Sequence, residues 1–141
     1  MNITNWFWWK QVTPKVPLTS VSNKVVEQAV RKVCKEYFMT DAAYIAPKKE
    51  DIEKLFNNNI GRFLKYRAEE YDCDDFARTA SATLHLLFGN IAIGECAVLL
   101  KGGGAHMINI VVTPDGEVVY VEPQNNTIYK TVDFKPYFVI I

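Results

Sequence analysis

Apolar positions recur every three or four residues in the first half of the chain and every second residue in much of the second half. The helical spacing predicts a helix that starts at Ser22 or Asn23 and runs to about Phe38, and a short charged helix over residues 48–57. Residues 62–70 fit neither period. The two predicted helices of the first half are separated by a loop that ends at Pro47, and no strand is predicted there.

The most apolar helical pattern runs from Cys73 to Phe88. Asp72 stands at the N-cap position, and Asp75, three residues later, occupies the acidic position of a capping box. At about 100° per residue, Cys73 faces the body of the protein and His85 points to the opposite, solvated side. We therefore predict a central helix that presents a thiol at its first turn.

Alternating apolar residues after the central helix predict an antiparallel sheet, with strands at residues 91–100, 105–113, 117–122, 127–132 and 137–141. Pro114-Asp115-Gly116 predicts a hairpin turn between two of them. Helices followed by strands indicate an α+β fold, with N-terminal helices packed on a C-terminal antiparallel β-sheet. We expect one domain over residues 1–141: an aromatic segment and connector at 1–21, and a core helix plus sheet at 71–141.

Composition excludes several classes of protein. The chain has 141 residues, 49% of them hydrophobic, and a formal net charge of zero, which argues against disorder and against a nucleic-acid partner. No apolar run reaches membrane-spanning length, and no basic leader precedes an apolar run, so neither a membrane partner nor a signal peptide is expected. The predicted location is cytoplasmic, in a bacterial host or phage-infected cell.

The three cysteines, Cys34, Cys73 and Cys96, form no Cys-x-x-Cys pair and no disulfide framework. Cys34 lies on an apolar helical stripe and Cys96 in an apolar strand, so both are predicted to be buried small hydrophobes. Cys73 differs because it lies at a helix start, where unpaired N–H groups and the helix dipole lower a thiol pKa. It is the candidate nucleophile.

The candidate partners of Cys73 lie on two neighbouring strands. His106 shares a strand face with apolar residues, and the hairpin places it opposite Glu122 or Gln124 in one register but opposite Pro123 in the other. In the first register, Glu122 could accept a hydrogen bond from the imidazole and fix its tautomer. Gln124 could do the same, or donate to an oxyanion.

This ordered set of motifs resembles the transglutaminase-like branch of the papain-like cysteine-peptidase superfamily. It is most similar to bacterial transglutaminase-like cysteine proteinases and to small phage-encoded domains. The resemblance implies a papain-like or transglutaminase-like core and a triad in which Cys73 is the nucleophile, His106 the general base and acid, and Glu122 the acid, where the family usually has Asp. The motifs are Tyr71 to Ala77, His106 to Asn109 and Val121 to Gln124.

Two classes of function follow from this set. The leading hypothesis is a cysteine-dependent hydrolase or acyltransferase that acts on a peptide or amide bond without a cofactor. Its substrate would be a peptide or protein, including one that is cell-wall or glycan-linked, and the chain would be a monomer or weak dimer. The alternative is a catalytically inactive, phage-type binding module on the same fold that recognises a peptide or glycan. The candidate substrate-binding residues are Trp8, Trp9, Gly103 and Asn109.

A divalent-metal site is the least favoured of the three functional hypotheses. Carboxylates and a histidine, namely Asp72, Asp74, Asp75, His106 and Glu122, are suitable ligands for magnesium, calcium or manganese. The helical positions of Asp74 and Asp75 diverge from His106, however. We therefore expect no metal site.

Overall fold

The computed structural model describes residues 15–141. The strands of this part of the chain are β1 (Leu18–Ser22), β2 (Tyr37–Phe38), β3 (Ala43–Pro47), β4 (Ile93–Leu100), β5 (Ala105–Val112), β6 (Val118–Glu122), β7 (Thr127–Ile128) and β8 (Phe134–Ile140). The helices are α1 (Asn23–Val33), α2 (Ile52–Phe56) and α3 (Cys73–Phe88), with short 3-10 turns at Lys49–Asp51 and Ile60–Phe63.

The strands form two sheets. Six strands follow the order β2-β8-β4-β5-β6-β7, while β1 and β3 form a separate antiparallel pair. The larger sheet is mixed, because β2 runs parallel to β8, with Tyr37 beside Val139 and Phe38 beside Ile140. Its other pairings are antiparallel.

The predicted fold class, α+β with N-terminal helices packed on a C-terminal antiparallel sheet, is therefore wrong. The described chain is mostly β-sheet with few helices, and three of its strands come from the half in which no strand was predicted. Ala43–Pro47, predicted to be a loop, pairs with Leu18–Ser22, predicted to be a connector. Such pairings join residues far apart in sequence, so the local pattern carries little trace of them.

The first helix also ends earlier than predicted. Val26, Ala29 and Val30 are buried along its apolar stripe as expected, but Cys34 is already extended, with φ −143° and ψ 138°. The aromatic pair Tyr37–Phe38 then joins the sheet instead of continuing the helix. Aromatic residues suit a half-buried strand, and pairing with β8 outweighs the helical spacing.

Each face of the larger sheet covers its own hydrophobic cluster. One cluster joins α1 to side chains such as Cys96, Ile108, Ile110 and Tyr120. The other joins α2 and α3 to side chains on the opposite face, namely Ile93, Val111, Val119 and Val121. Alternate residues of β4, β5 and β6 therefore serve opposite cores. Within residues 15–141, no helix is both long and apolar enough to cross a membrane.

Candidate functional site

The start of α3 is built as the sequence predicts. Asp72 and Asp75 form a capping box, in which the Asp72 backbone N–H donates to Oδ2 of Asp75 at 3.3 Å. A hydrogen bond between the Asp72 and Asp74 side chains raises the pKa of Asp72 and lowers that of Asp74. The half-buried Cys73 is the first residue of the helix. The thiol is thus flanked in sequence by two carboxyl groups that interact with each other.

His106 and Glu122 meet across the β5–β6 hairpin. Asn109 pairs with Val121 in the antiparallel register, which puts His106 and Glu122 on one face and confirms the first of the two predicted alternatives. Nε2 of His106 lies 2.7 Å from Oε2 of Glu122. The Tyr129 hydroxyl, from just beyond β7, donates to the same oxygen at 2.9 Å.

These contacts set the charge state of Glu122. Burial raises the pKa of its carboxyl, but hydrogen bonds from His106 and Tyr129 outweigh burial and hold the pKa below its usual value. Tyr129 shows the reverse effect, because burial and its bond to the carboxylate raise the pKa of the phenol. Glu122 is therefore a carboxylate over a wide range of pH, and it orients the imidazole of His106.

The helix that carries Cys73 packs on the other face of the sheet. The buried Asn109 amide donates to the carbonyl oxygen of Ala77 in α3 at 2.9 Å and to that of Gly94 at 3.0 Å. His106 lies three residues earlier on β5 and so shares the face of Ile108 and Ile110. No hydrogen bond in residues 15–141 joins the Cys73 thiol to His106. The structure thus assembles His106 with Glu122, and the role of Cys73 stays a prediction.

The remaining candidate residues have different surroundings. The backbone N–H of Gln124 donates to Oε1 of Glu122 at 3.3 Å. Gly103 lies in the β4–β5 turn with a φ of +91°, and its N–H donates to the Leu100 carbonyl at 2.9 Å. Asn109 is buried and binds main-chain carbonyls. Trp8 and Trp9 lie outside the described residues.

His85 serves the end of α3. Its Nδ1 lies 3.0 Å from the Gly89 carbonyl oxygen and its Nε2 lies 3.2 Å from that of Ile93. His85 is therefore half-buried, whereas the sequence predicted that it points away from the protein into solvent. Within residues 15–141, a group of three possible metal ligands whose atoms all lie within 4.8 Å of one another is formed by Asp72, Cys73 and Asp74. This group does not include His106.

A groove at the start of β8 was missed by the sequence analysis. This β8 groove has a volume of about 430 Å³ and is lined by Leu99, Leu100, Lys101, Val132, Asp133, Phe134 and Lys135. The ring of Phe134 stands edge-on to Tyr129, with centroids 5.2 Å apart. The two walls of the groove meet because Leu100 of β4 pairs with Phe134 of β8. The local sequence pattern does not predict this pairing.

No protein-family model and no curated protein matches the chain. The chain is similar to the solved structure of PSL1a in complex with E64, at 22% identity and a TM-score of 0.75, over 86% of this chain and 51% of that one. It is also similar to the Polyporus squamosus lectin bound to the human-type influenza-binding epitope Neu5Acα2-6Galβ1-4GlcNAc, at 22% identity and a TM-score of 0.71, over 86% and 49% of the two chains. The chain thus spans about half the length of the structures it matches.

These neighbours are sugar-binding lectins and not transglutaminase-like peptidases. The family assignment made from the motifs is therefore wrong, together with the description of the chain as a cysteine peptidase, transglutaminase or hydrolase. The motifs on which that assignment was based span only about fifty residues of the chain, whereas the fold comparison covers 86% of it. What this chain shares with the lectin structures is the fold.

Proposed function

We propose that this chain is a carbohydrate-binding module. The observation that carries the proposal is the similarity of its fold, over 86% of the chain, to a lectin bound to a sialylated trisaccharide. Of the two functions drawn from the sequence, this supports the glycan-binding alternative over the peptide-cleaving one. The chain spans about half of the lectin, so that protein's sugar binding passes to this chain only as part of the proposal.

The surroundings of Glu122 suit a sugar. Small-molecule sites combine an apolar wall with a few polar groups that fix orientation. Here His106, Glu122 and Tyr129 form a half-buried polar cluster, and the Phe134 ring stands edge-on to Tyr129 and also lines the β8 groove. Together these supply hydrogen-bonding groups for hydroxyls and an apolar surface for the C–H face of a pyranose.

A glycan array with neutral and acidic glycans tests the proposal, with calorimetry on the best ligands. We expect selective binding that weakens about tenfold in Tyr129→Phe, because the cluster loses the hydroxyl that holds Glu122 in place. Tyr37→Phe is the matched control, since this tyrosine also donates to a glutamate, Glu27, at 2.8 Å, but from β2 at the far edge of the sheet. A folded protein that binds no glycan on the array would refute the proposal.

A second candidate function is covalent thiol chemistry at Cys73. The observation that favours it is the His106–Glu122 pair, which holds Nε2 and leaves Nδ1 without a hydrogen-bond partner among residues 15–141. Cys73 itself lies at the N-terminus of a 16-residue helix, an environment that favours a thiolate. A conformation that brings the thiol to Nδ1 would complete a reactive pair.

The pH dependence of Cys73 alkylation, followed by peptide mapping, tests this candidate. If Cys73 is a nucleophile, we expect its thiol to be alkylated below about pH 8 and to react more slowly in His106→Ala, because the imidazole would stabilise the thiolate. Cys34 and Cys96 are internal controls, since both are buried, and burial raises the pKa of Cys96 to about 12. A slow Cys73 that is indifferent to His106 would eliminate thiol chemistry.

A further inference from the structure

We infer that Asn59 is a positioning residue for the His106–Glu122 pair, which it holds through the peptide group between Pro123 and Gln124. The inference concerns the site of the proposed function, and it rests on that proposal only for what the site binds. Asn59 lies 64 residues before Pro123 in the chain and outside the motifs from which the site was predicted.

Asn59 is fully buried at the start of the 3-10 turn Ile60–Phe63. Its side-chain oxygen accepts from the Gly61 N–H at 2.9 Å. Its Nδ2 donates to the Pro123 carbonyl oxygen at 3.0 Å and to Oδ1 of Asn126 at 3.1 Å. An asparagine amide has two hydrogens to donate and one oxygen that accepts, and all three take part in these bonds. The plane of the Asn59 side chain is therefore fixed.

One peptide group links Asn59 to Glu122. Its carbonyl oxygen, that of Pro123, accepts from Asn59, and its N–H, that of Gln124, donates to Oε1 of Glu122 at 3.3 Å. A peptide group is planar, so a bond that holds its oxygen also sets the direction of its N–H. A carbonyl that accepts a hydrogen bond also polarises the peptide group, which strengthens the N–H as a donor. Asn59 thus acts on the carboxylate without touching it.

The two oxygens of the Glu122 carboxylate have different partners. Oε2 lies 2.7 Å from Nε2 of His106 and accepts from the Tyr129 hydroxyl at 2.9 Å, while Oε1 accepts from the Gln124 N–H. A carboxylate that is bonded at both oxygens cannot rotate without losing one of these bonds. The orientation of Glu122, and through it that of the imidazole, therefore depends on the peptide group that Asn59 holds.

The turn that contains this peptide group is held by side chains. Residues 123–126 connect β6 to β7 and lie outside the strand pairing. Asn126 has a φ of +60°, which asparagine tolerates better than most residues, and its Nδ2 donates to the Phe56 carbonyl oxygen at 2.9 Å. Asn59 and Asn126 together fasten the turn to the end of α2. Of the two, Asn59 bonds the peptide group that donates to Glu122.

The test is a pH titration of the ¹³C,¹⁵N-labelled chain without ligand, followed by NMR at the Glu122 carboxyl carbon and the Gln124 amide proton. In wild type we expect the Gln124 amide proton to move as Glu122 ionises, because the two are hydrogen-bonded. In Asn59→Ser this movement should shrink and the pKa of Glu122 should rise, since a bond that favours the carboxylate is weakened. Serine keeps an oxygen for the Gly61 N–H but is too short to reach Pro123.

The ring of His106 gives an independent measurement. Because the Glu122 carboxylate only accepts, neutral His106 should carry its hydrogen on Nε2, and its ring ¹⁵N spectrum should show a single tautomer. In Asn59→Ser we expect a mixture of both tautomers. His85, the other histidine of the chain, is bonded to main-chain carbonyls and is the internal reference. Its spectrum should not change.

The matched control is Asn58→Ser, the same substitution at the preceding residue. The Asn58 amide donates to the Leu55 carbonyl oxygen at 2.9 Å, within its own turn, and so does not reach the turn after Glu122. Asn58→Ser should leave the signals of Glu122, Gln124 and His106 as in wild type. If Asn59 only stabilised the fold, Asn59→Ser would melt at a lower temperature with these signals unchanged, and the inference would be overturned.

Should Asn59→Ser not fold, wild type decides. We then expect a scalar coupling across the hydrogen bond from Nδ2 of Asn59 to the carbonyl carbon of Pro123, together with a Gln124 amide proton that follows the ionisation of Glu122. Absence of either would overturn the inference.

Sugar binding is measured separately, so the two proposals can fail independently. With the best ligand of the glycan array, we expect affinity to fall about tenfold in Asn59→Ser and less than about twofold in Asn58→Ser. An array without any ligand would remove the proposed function, while the NMR titration would still decide the role of Asn59. Glycan binding together with unchanged NMR signals in Asn59→Ser would remove the role of Asn59 and leave the proposed function.

Discussion

The two faces of the six-stranded sheet use their polar residues differently. On the face covered by α3, Asn109 is buried and both of its amide hydrogens are given to main-chain carbonyls, those of Ala77 and Gly94. On the opposite face, at the open end of β5, His106 and Glu122 bond each other and stay partly exposed. The first arrangement joins a helix to the sheet, while the second leaves groups that can meet a ligand.

This contrast shows why a motif is a weak guide to function. His106 and Asn109 stand three residues apart in one motif, yet an odd separation along a strand sends them to opposite faces. Asn109 is used in packing the helix on the sheet, whereas His106 is available to a ligand. We expect substitutions on the face covered by α3 to lower the free energy of unfolding most, and substitutions on the opposite face to lower it less.

Asn109→Ala should lower the free energy of unfolding by about 2–4 kcal/mol, because two buried hydrogen bonds and their packing are lost together. Urea denaturation followed by circular dichroism measures the effect. Asn57→Ala is the control at an exposed position and should change stability by less than about 0.5 kcal/mol. A small effect of Asn109→Ala would mean that α3 does not depend on this contact, and the contrast between the faces would fail.

Glu122→Gln should cost about 1–2 kcal/mol near pH 7, because a charge-assisted bond to His106 becomes a neutral one. The pKa of Glu122 is lowered in the folded protein, so its stabilisation is present above the unfolded-state pKa of about 4.3 and is lost as pH falls through the folded value. The difference between variant and wild type should therefore shrink in acid.

Denaturation curves at about pH 7 and about pH 3 measure this change. Glu117→Gln is the control, since Glu117 pairs with Lys49 at the surface and should contribute little at either pH. If Glu122→Gln costs as much in acid as at neutral pH, the carboxylate does not supply the stabilisation assigned to it.

Asp72→Ala should have the smallest of the three effects on stability, because it removes one arm of the capping box at the start of α3. Asp51→Ala offers a close comparison: Asp51 precedes α2 but makes no side-chain capping bond, so its loss should be nearly neutral. Thermal unfolding of both variants ranks them. Equal shifts in melting temperature would show that the capping box at α3 contributes no more to stability than Asp51, which makes no capping bond.

Much of the candidate site could be predicted where neighbours in sequence are also neighbours in space. The bounds of α3, Cys73 to Phe88, and its capping box agree with the prediction, because both depend on contacts three or four residues apart. The turn before β6 and the burial of Cys34 and Cys96 agree as well. The β5–β6 register was predicted only as one of two alternatives, since a slip of one residue exchanges the faces.

By itself, then, the sequence determined the local elements of the second half and the residues from which a polar cluster could form. The tertiary structure decided that β2 pairs in parallel with β8, that α3 and His106 serve opposite faces, and that β4 and β8 bring Lys101 beside Lys135. The physical reason is distance along the chain. Capping and periodicity act within one or two turns, whereas sheet order depends on the burial of side chains more than thirty residues apart.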